Sequence, residues 1–489
     1  MTDHVLSWIV FFPLIGAAVV LILPRSQERA MKLVSVVATF VPLLLAGWIY
    51  LNFDRSTPEL QFVEHYPWIR SFNIYYFLGI DGLSAPMVLL TALLCFLCIF
   101  ASWNTDKGIK GYFSLFLLLD TGMMGIFCSL DFFLFYIFWE VMLLPMYFLI
   151  GIWGGPDREY AAIKFFLYTL LGSVLILLAM LALYFATEPH TFDMTKLMAA
   201  RGSFVGPFWK VVFIGLFIGF AIKVPIFPFH TWLPDAHVEA PTAISVILAG
   251  VLLKMGVYGL LRISYPILPE ATVWFSYPLV ILGLINIIYG ALCAMAQKDF
   301  KKLVAYSSIS HMGYCLLGMA AFTQAGMNGA VLQMFNHGTI TGMLFLLVGV
   351  IYDRAHHRDI NGFGGLATQM PIYAGMTSLA FFASLGLPGL SGFISEVLCF
   401  IGAFPVYRTI TCLAVIGIII GAAYFLWTFQ RVFLGQLDDK YKTLPEINAR
   451  ELFTLIPLGI IVIILGVYPM PMLDIMRVTL GNIISIVQP

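Results

Sequence analysis

Long apolar runs separated by short polar segments dominate the hydrophobic pattern of this chain. A helix that crosses the hydrocarbon core of a bilayer needs about 20 apolar residues, and fourteen runs approach or exceed that length. They lie near residues 4–23, 31–50, 74–101, 111–128, 130–150, 161–186, 207–226, 241–263, 273–295, 301–321, 327–351, 371–403, 409–433 and 452–472. Short strands with alternating polarity are absent from the pattern, which therefore predicts an all-α protein of fourteen transmembrane helices.

Two of these predicted spans contain residues that interrupt a helix. Span 12 would be about 50 Å long as one straight helix, too long for a bilayer, and Gly386–Gly392 (Gly-Leu-Pro-Gly-Leu-Ser-Gly) divides it. Span 7 ends in Lys-Val-Pro-Ile-Phe-Pro, residues 223–228, where two prolines break the hydrogen-bond ladder. Broken backbone at membrane depth is tolerated where it is buried in protein or lines a polar cavity. We therefore expect spans 7 and 12 to be discontinuous.

The positions of these two breaks predict an internal repeat. They lie five spans apart, and because five is odd, two five-helix units would be inverted relative to one another, as in many transporters. The predicted organisation is residues 1–108 for helices 1–3 and 109–264 for the first repeat, helices 4–8. Residues 265–434 would form the inverted second repeat, helices 9–13, and 435–489 a cytoplasmic loop and helix 14.

The distribution of Lys and Arg predicts the orientation in the membrane. Sixteen of them lie on the side reached after span 1 and eight on the other side. Because cytoplasmic loops carry the excess of Lys and Arg, we expect both termini outside.

Composition narrows the class of protein further. Hydrophobic types make up 61% of the chain and charged types only 11%, with a mean hydropathy of +0.95, whereas soluble domains carry roughly 25% charge. The excess apolar surface must face lipid, which excludes a soluble enzyme, a disordered protein and a nucleic-acid-binding protein. The formal net charge of +0 gives no attraction to nucleic acid either.

Ionisable residues inside the predicted spans are the candidate functional groups. A charge at the bilayer centre costs a few kcal/mol or more, so such residues mark functional sites by default. A lysine and a nearby carboxylate can exchange a proton as their distance changes, and histidines titrate near neutrality, so the set predicts a proton path. The candidates are Glu140, Lys223, Lys254, His311, His337 and Glu396.

Other interpretations of these residues stay open. They would also fit static ion pairs or contacts that hold helices together. His337, beside Asn336, would fit a bond to neighbouring backbone, and Asp120 in span 4 would fit a span-end anchor or a further proton site. The sequence has no evident ligand set for a metal, haem, flavin or iron–sulfur cluster, so we expect any electron transfer to occur elsewhere.

Several motifs resemble the antiporter-like subunits of proton-pumping NADH:quinone oxidoreductase, respiratory complex I. They are Gly-Ile-Asp-Gly-Leu-Ser at 79–84, Gly-Ile-Trp-Gly-Gly-Pro at 151–156, Phe-Pro-Phe-His-Thr-Trp-Leu-Pro-Asp-Ala-His-Val-Glu-Ala-Pro-Thr at 227–242, Ala-Tyr-Ser-Ser-Ile-Ser-His-Met-Gly at 305–313 and Leu-Pro-Gly-Leu-Ser-Gly-Phe at 387–393. The likeness extends over nearly the whole chain. It is greatest to the M-type members, chain 4 in mitochondria, because span 12 carries Glu396 where L- and N-type members carry Lys. Too few residues follow span 14 for the lateral helix of the L-type.

The resemblance implies a role for each candidate residue. Glu140 and Lys223 would be the carboxylate–lysine pair of the input half-channel, and Lys254 the central connecting lysine. His311 and His337 would be relay groups and Glu396 the exit-side residue. Asp120 matches no assigned position.

The resemblance also implies the setting in which the chain acts. It would be a subunit of a translocase that carries no cofactor itself, with NADH, FMN, iron–sulfur clusters and quinone in partner subunits. Those partners would include L-type and N-type subunits, within a bacterial inner membrane or, less favoured, a mitochondrial one. Three alternatives remain: a subunit of an Mrp-type cation/proton antiporter, a free-standing transporter of a small solute, and a purely structural spacer.

Overall fold

The computed structural model describes residues 4–488, and these are mostly helical. Short helices at Met194–Ala199 and Leu366–Gln369 lie in connections. The longer helices are α1 (Val5–Ile22), α2 (Glu28–Asn52), α3 (Ser84–Ala101), α4 (Ile109–Cys128), α5 (Phe132–Trp153), α6 (Arg158–Phe185), α7 (Pro207–Lys223), α8 (Trp232–Glu239), α9 (Thr242–Ile267), α10 (Pro269–Met295), α11 (Phe300–Ala320), α12 (Gln324–Ala355), α13 (Pro371–Ser384), α14 (Ser391–Ala403), α15 (Arg408–Phe433), α16 (Ala449–Val467) and α17 (Met470–Val487).

Twelve of the described helices are long and apolar enough to cross a membrane. Eleven of them coincide with predicted spans, and the twelfth is α17. The remaining predicted spans correspond to α7, to α11 and to the pair α13 and α14. The chain is therefore a multi-pass helical membrane protein.

A β-hairpin is the main departure from the all-α prediction. Strands β1 (Gln61–Ile69) and β2 (Ile74–Ile80) pair antiparallel, with Tyr66 opposite Tyr76. The expected absence of strands was therefore wrong, and so was the start of span 3 at residue 74, because α3 begins at Ser84. The physical reason is that β2 is apolar and largely buried, and hydropathy reports burial without distinguishing a buried strand from a helix.

The C-terminal region also differs from the expected single helix 14. The predicted span 452–472 crosses the end of α16 at Val467, and α17 follows after Tyr468 and Pro469. α17 is amphipathic, with a face of buried residues that includes Met476 and Leu480. A helix with one apolar and one polar face has a lower mean hydropathy than a helix that is apolar all round. The pattern of apolar runs therefore did not predict α17.

The helices α9 and α12 form the centre of the bundle. The most apolar stretch of each is completely buried within the protein, whereas those of α2 and α15 are only one-third buried. Because α9 and α12 meet protein on every side, polar residues on them are shielded from both water and lipid. Lys254 lies on α9, and His337 lies on α12.

The hairpin caps the beginning of α1. The Glu64 carboxylate accepts hydrogen bonds from the amides of Leu6 at 2.8 Å and Ser7 at 3.0 Å, and from the Ser7 hydroxyl. The first amides of a helix have no partner inside it, and a negative charge at this end is favourable. Glu64 is 2% exposed, so the hairpin and α1 stabilise one another.

We expect Glu64→Ala to lower the stability of the folded chain by about 1–2 kcal/mol, because the buried amides of α1 lose their acceptor. The measurement is the midpoint of heat-induced loss of the assembled protein in detergent. Glu59→Ala, which changes an exposed carboxylate nearby, is the matched control. Equal midpoints for the two variants would contradict this role.

Candidate functional site

Glu140 lies at an irregular position of α5. Pro145 has no amide hydrogen to donate to the carbonyl of Val141, and the Met142 amide reaches the Phe138 carbonyl over a long 3.4 Å. The regular helix is consequently interrupted between Val141 and Leu143. Glu140 is half-buried, and its Oε1 atom is buried without a hydrogen-bond partner in the described part of the chain. One carboxylate oxygen is thus available to a proton donor.

Lys223 is the last residue of α7 and is 1% exposed. Its ammonium nitrogen lies over the rings of Trp139, at 5.3 Å from the centroid, and Phe165, at 5.5 Å. Glu140 directly follows Trp139 in the chain, yet within residues 4–488 no ion pair of 4.0 Å or shorter joins Glu140 and Lys223. The predicted carboxylate and lysine therefore lie on neighbouring helices but make no ion pair in this structure.

The chain after Lys223 is held by Asn286 of α10. The Asn286 side chain accepts from the Phe227 amide at 2.8 Å and donates to the Pro225 carbonyl at 3.2 Å. An irregular backbone inside a membrane protein must find partners within the protein, and Asn286 supplies two of them. The irregular backbone after Lys223 is consequently stabilised by specific hydrogen bonds within the bundle.

Lys254 follows a π-helical segment of α9, Leu248–Leu252. Its ammonium nitrogen donates to the Ala249 carbonyl within that segment and lies 2.6 Å from Nδ1 of His337 on α12. Both side chains are buried, at 0% and 1% exposure. A widened turn of this kind frees backbone acceptors and is frequent at functional sites. Lys254 and His337 are thus in direct hydrogen-bond contact.

The close approach of α7 and α9 depends on Gly256. A Cβ atom at this position would lie 2.6 Å from the Phe220 carbonyl oxygen and 3.0 Å from the Val224 amide nitrogen. The missing side chain lets α9 pack directly on the end of α7 that carries Lys223. The two lysine-bearing helices therefore meet near both lysines.

His311 of α11 continues the polar chain from His337. The two imidazole rings are 5.7 Å apart and nearly perpendicular. His311 also borders a small cavity, with room for roughly one water molecule, whose lining includes Glu396, Ser384 and Tyr424. His337 bonds the Lys254 side chain and no nearby backbone among the described residues, whereas its neighbour Asn336 donates to the Ser391 carbonyl at 2.7 Å.

Glu396 packs against the break between α13 and α14. A Cβ atom at Gly386 would lie 2.8 Å from Oε2 of Glu396, and Gly386 has a φ of +79°. Only glycine adopts that conformation without strain while leaving the space open. The predicted interruption therefore supplies the space next to the carboxylate.

Two further buried ionisable residues are His237, which was not among the predicted site residues, and Asp120, whose role the sequence left open. His237 is completely buried, stacks on Phe345 at 4.6 Å, and has neither ring nitrogen bonded among the described residues. A histidine in the motif at 227–242, five residues before the apolar helix α9 begins, was the signal that would have identified it. Asp120 is buried beside Cys95 and Cys98.

The sequence of this chain matches two family descriptions. Residues 129–421 match "NADH:quinone oxidoreductase/Mrp antiporter, TM", and residues 30–130 match "NADH-ubiquinone oxidoreductase chain 4, amino terminus". The chain therefore belongs to the family of antiporter-like membrane subunits of NADH:quinone oxidoreductase and Mrp complexes.

Individual relatives define its place within the family. NADH-quinone oxidoreductase subunit M of Rhodobacter capsulatus is 44% identical over 99% of this chain and 97% of its own length. NADH-ubiquinone oxidoreductase chain 4 of Arabidopsis thaliana is 42% identical over 98% of this chain and 97% of its own. These relatives confirm the resemblance to the M-type members seen in the motifs.

Two solved structures share the fold. A chain of respiratory complex I from Thermus thermophilus with bound NADH superposes with a TM-score of 0.88 at 30% identity, covering 99% of this chain and 100% of that one. A chain of the Mrp complex from a Dietzia species gives a TM-score of 0.87 at 21% identity, covering 100% and 99%. At 21% identity, the likeness to the Mrp chain shows a shared fold.

We expect Gly386→Ala to slow proton transport by about tenfold to a hundredfold, because the new methyl group displaces the Glu396 carboxylate. Gly389→Ala is the matched control, since Gly389 also has a positive φ, +94°, but its added Cβ would meet nothing within 4 Å. Both variants carry a similar backbone cost of about 1 kcal/mol. Proton uptake by vesicles containing the assembled complex separates them, and equal losses would contradict a contact effect.

Proposed function

We propose that this chain conducts protons across the membrane as a membrane-arm subunit of NADH:quinone oxidoreductase, coupled to quinone reduction in partner subunits. The observation that carries the proposal is the succession of buried polar groups from Lys254, which bonds His337, to the His311 ring 5.7 Å from that of His337, and on to Glu396, which lines the same small cavity as His311. The proton path comprises Glu140, Lys223, Lys254, His311, His337 and Glu396.

Each contact in this series suits a proton transfer. The Lys254 ammonium donates to Nδ1 of His337, so the proton already lies along the direction of transfer. Nε2 of His337 has no partner in the described part of the chain and is free to pass a proton toward His311. The cavity between His311 and Glu396 has the size for one bridging water.

The input half of the proposed proton path consists of Glu140 and Lys223. A carboxylate stabilises a nearby ammonium, and its withdrawal favours release of the lysine proton. Moving one charge against 100 mV costs about 2.3 kcal/mol, and a tenfold change in proton affinity is worth about 1.36 kcal/mol. A hundredfold change in the proton affinity of Lys223, about 2.7 kcal/mol, exceeds that cost, and a change in the Glu140–Lys223 distance would supply it and drive one transfer from inside to outside.

We also propose fourteen membrane crossings, ten of them arranged as two inverted five-helix repeats, 109–264 and 265–434, with the amphipathic α17 lying along the membrane surface and not crossing it. On this assignment α7 with α8, and α13 with α14, are discontinuous helices at equivalent positions. Two features support it: α7 ends at Lys223 before an irregular stretch, and residues 385–390 separate α13 from α14. In each case a proposed path residue, Lys223 or Glu396, lies beside the interruption.

The assembly around the chain follows from its family. We propose L-type and N-type antiporter-like subunits as neighbours, a bacterial inner membrane as the location, and both termini outside. NADH, FMN, iron–sulfur clusters and quinone would be bound by partner subunits, with no redox centre on this chain. The Mrp-type alternative has weaker support, because the Mrp relative shares only 21% identity while subunit M of Rhodobacter capsulatus shares 44%.

We expect Glu140→Gln and Lys223→Ala each to lower proton pumping by about tenfold or more, because each removes a proton-carrying group. Pumping is measured as acidification of inverted vesicles on addition of NADH, and is normalised to the amount of assembled complex. Glu159→Gln and Lys442→Ala, which neutralise exposed residues, are the controls. Unchanged pumping in both test variants at normal assembly would overturn the proposal.

A further inference from the structure

The surroundings of Lys223 contain a second binding place for its ammonium group. Trp139 of α5 and Phe165 of α6 present their rings to the nitrogen at 5.3 and 5.5 Å. The ammonium has no hydrogen-bond partner among the described residues. A cation within about 6 Å of an aromatic face is attracted by the electron density of the ring, most strongly where water is excluded. We call this pair of rings the aromatic box.

The aromatic box is fixed in place by its own contacts. The Trp139 indole N–H donates to the Ser173 hydroxyl at 3.1 Å, and the ring packs edge-on against Phe220 at 5.6 Å. Phe165 packs on Trp232 at 5.4 Å. Trp139 is 1% exposed and Phe165 is fully buried. The rings are therefore positioned whether or not a cation lies between them.

Glu140 competes with the box for the same ammonium. Trp139 and Glu140 are consecutive residues of α5, so their side chains point about 100° apart around the helix axis. The ammonium accordingly meets the ring and the carboxylate from different directions. Glu140 is the carboxylate that adjoins the Trp139 ring in the chain, whereas the box residues from α5 and α6 are uncharged. The irregular turn at Met142 lies directly after this pair of residues.

We propose that Trp139 is a positioning residue that, with Phe165, holds the charged Lys223 while it is separated from Glu140. Lys223 then alternates between two places, the aromatic box and the carboxylate. In the aromatic box the Lys223 ammonium keeps its proton although no carboxylate is bonded to it. The proton is therefore not released while Lys223 is separated from Glu140. This inference rests on the proposed function of Glu140 and Lys223 and adds the group that governs their exchange.

The test compares Trp139→Leu, which removes the ring, with Trp139→Phe, which retains one. Without the ring the unpaired ammonium is less stable and loses its proton at lower pH. For Trp139→Leu we expect the alkaline half-maximum of proton pumping to move down by about one pH unit, a tenfold change in proton affinity. Trp139→Phe should recover at least half of that shift. Ser173→Ala, which frees the indole, should give a smaller shift in the same direction.

Trp427→Leu is the matched control, because Trp427 lies under Arg431 at 4.1 Å on α15, outside the proposed path. It should leave the pH profile of pumping unchanged. Profiles are measured on vesicles with equal amounts of assembled complex, so a loss of assembly does not mimic the effect. An unshifted profile in Trp139→Leu, or equal shifts in the Leu and Phe variants, would overturn the role of Trp139. If Glu140→Gln and Lys223→Ala still lower pumping about tenfold or more, the proposed function stands regardless.

Discussion

The contact between Lys254 and His337 is the interaction around which the rest of the structure is arranged. It joins α9 and α12, the two helices that protein encloses on every side. An isolated ammonium in such a place would be very costly. The protein meets that cost with a backbone carbonyl from a widened turn and a neutral imidazole nitrogen. Both are acceptors that can share a proton without adding a second charge.

Interruptions of regular helix accompany the other proposed path residues. Pro145 disturbs α5 just after Glu140, α7 ends at Lys223, and Gly386 opens space for the Glu396 carboxylate. Regular helices satisfy their own backbone and leave little room for polar side chains between them. Where the ladder is broken, cavities and free acceptors become available inside the bundle. The same residues that weaken the helices therefore create the polar interior.

Buried ion pairs hold the ends of the two central helices. Arg262 near the end of α9 makes a two-pronged pair with Asp81, at 2.5 and 2.8 Å, just before α3. Arg354 near the end of α12 pairs in the same way with Glu451 in the first turn of α16, at 2.7 and 3.1 Å. Breaking such a pair leaves an uncompensated buried charge and costs about 3–5 kcal/mol. Rigid ends leave the middle of each helix in a defined register for the Lys254–His337 contact.

The sequence alone determined the class of protein and most of its spans, because hydropathy acts locally, and it predicted two interruptions and six candidate ionisable residues from proline, glycine and isolated charges. It missed the hairpin and α17, since the burial of β2 and the mixed face of α17 depend on what packs against them. Tertiary structure decided which charges meet. His337 contacts Lys254, Lys223 lies over aromatic rings apart from Glu140, and His237 is buried against Phe345. These outcomes depend on distances between helices far apart in the chain, which no local pattern encodes.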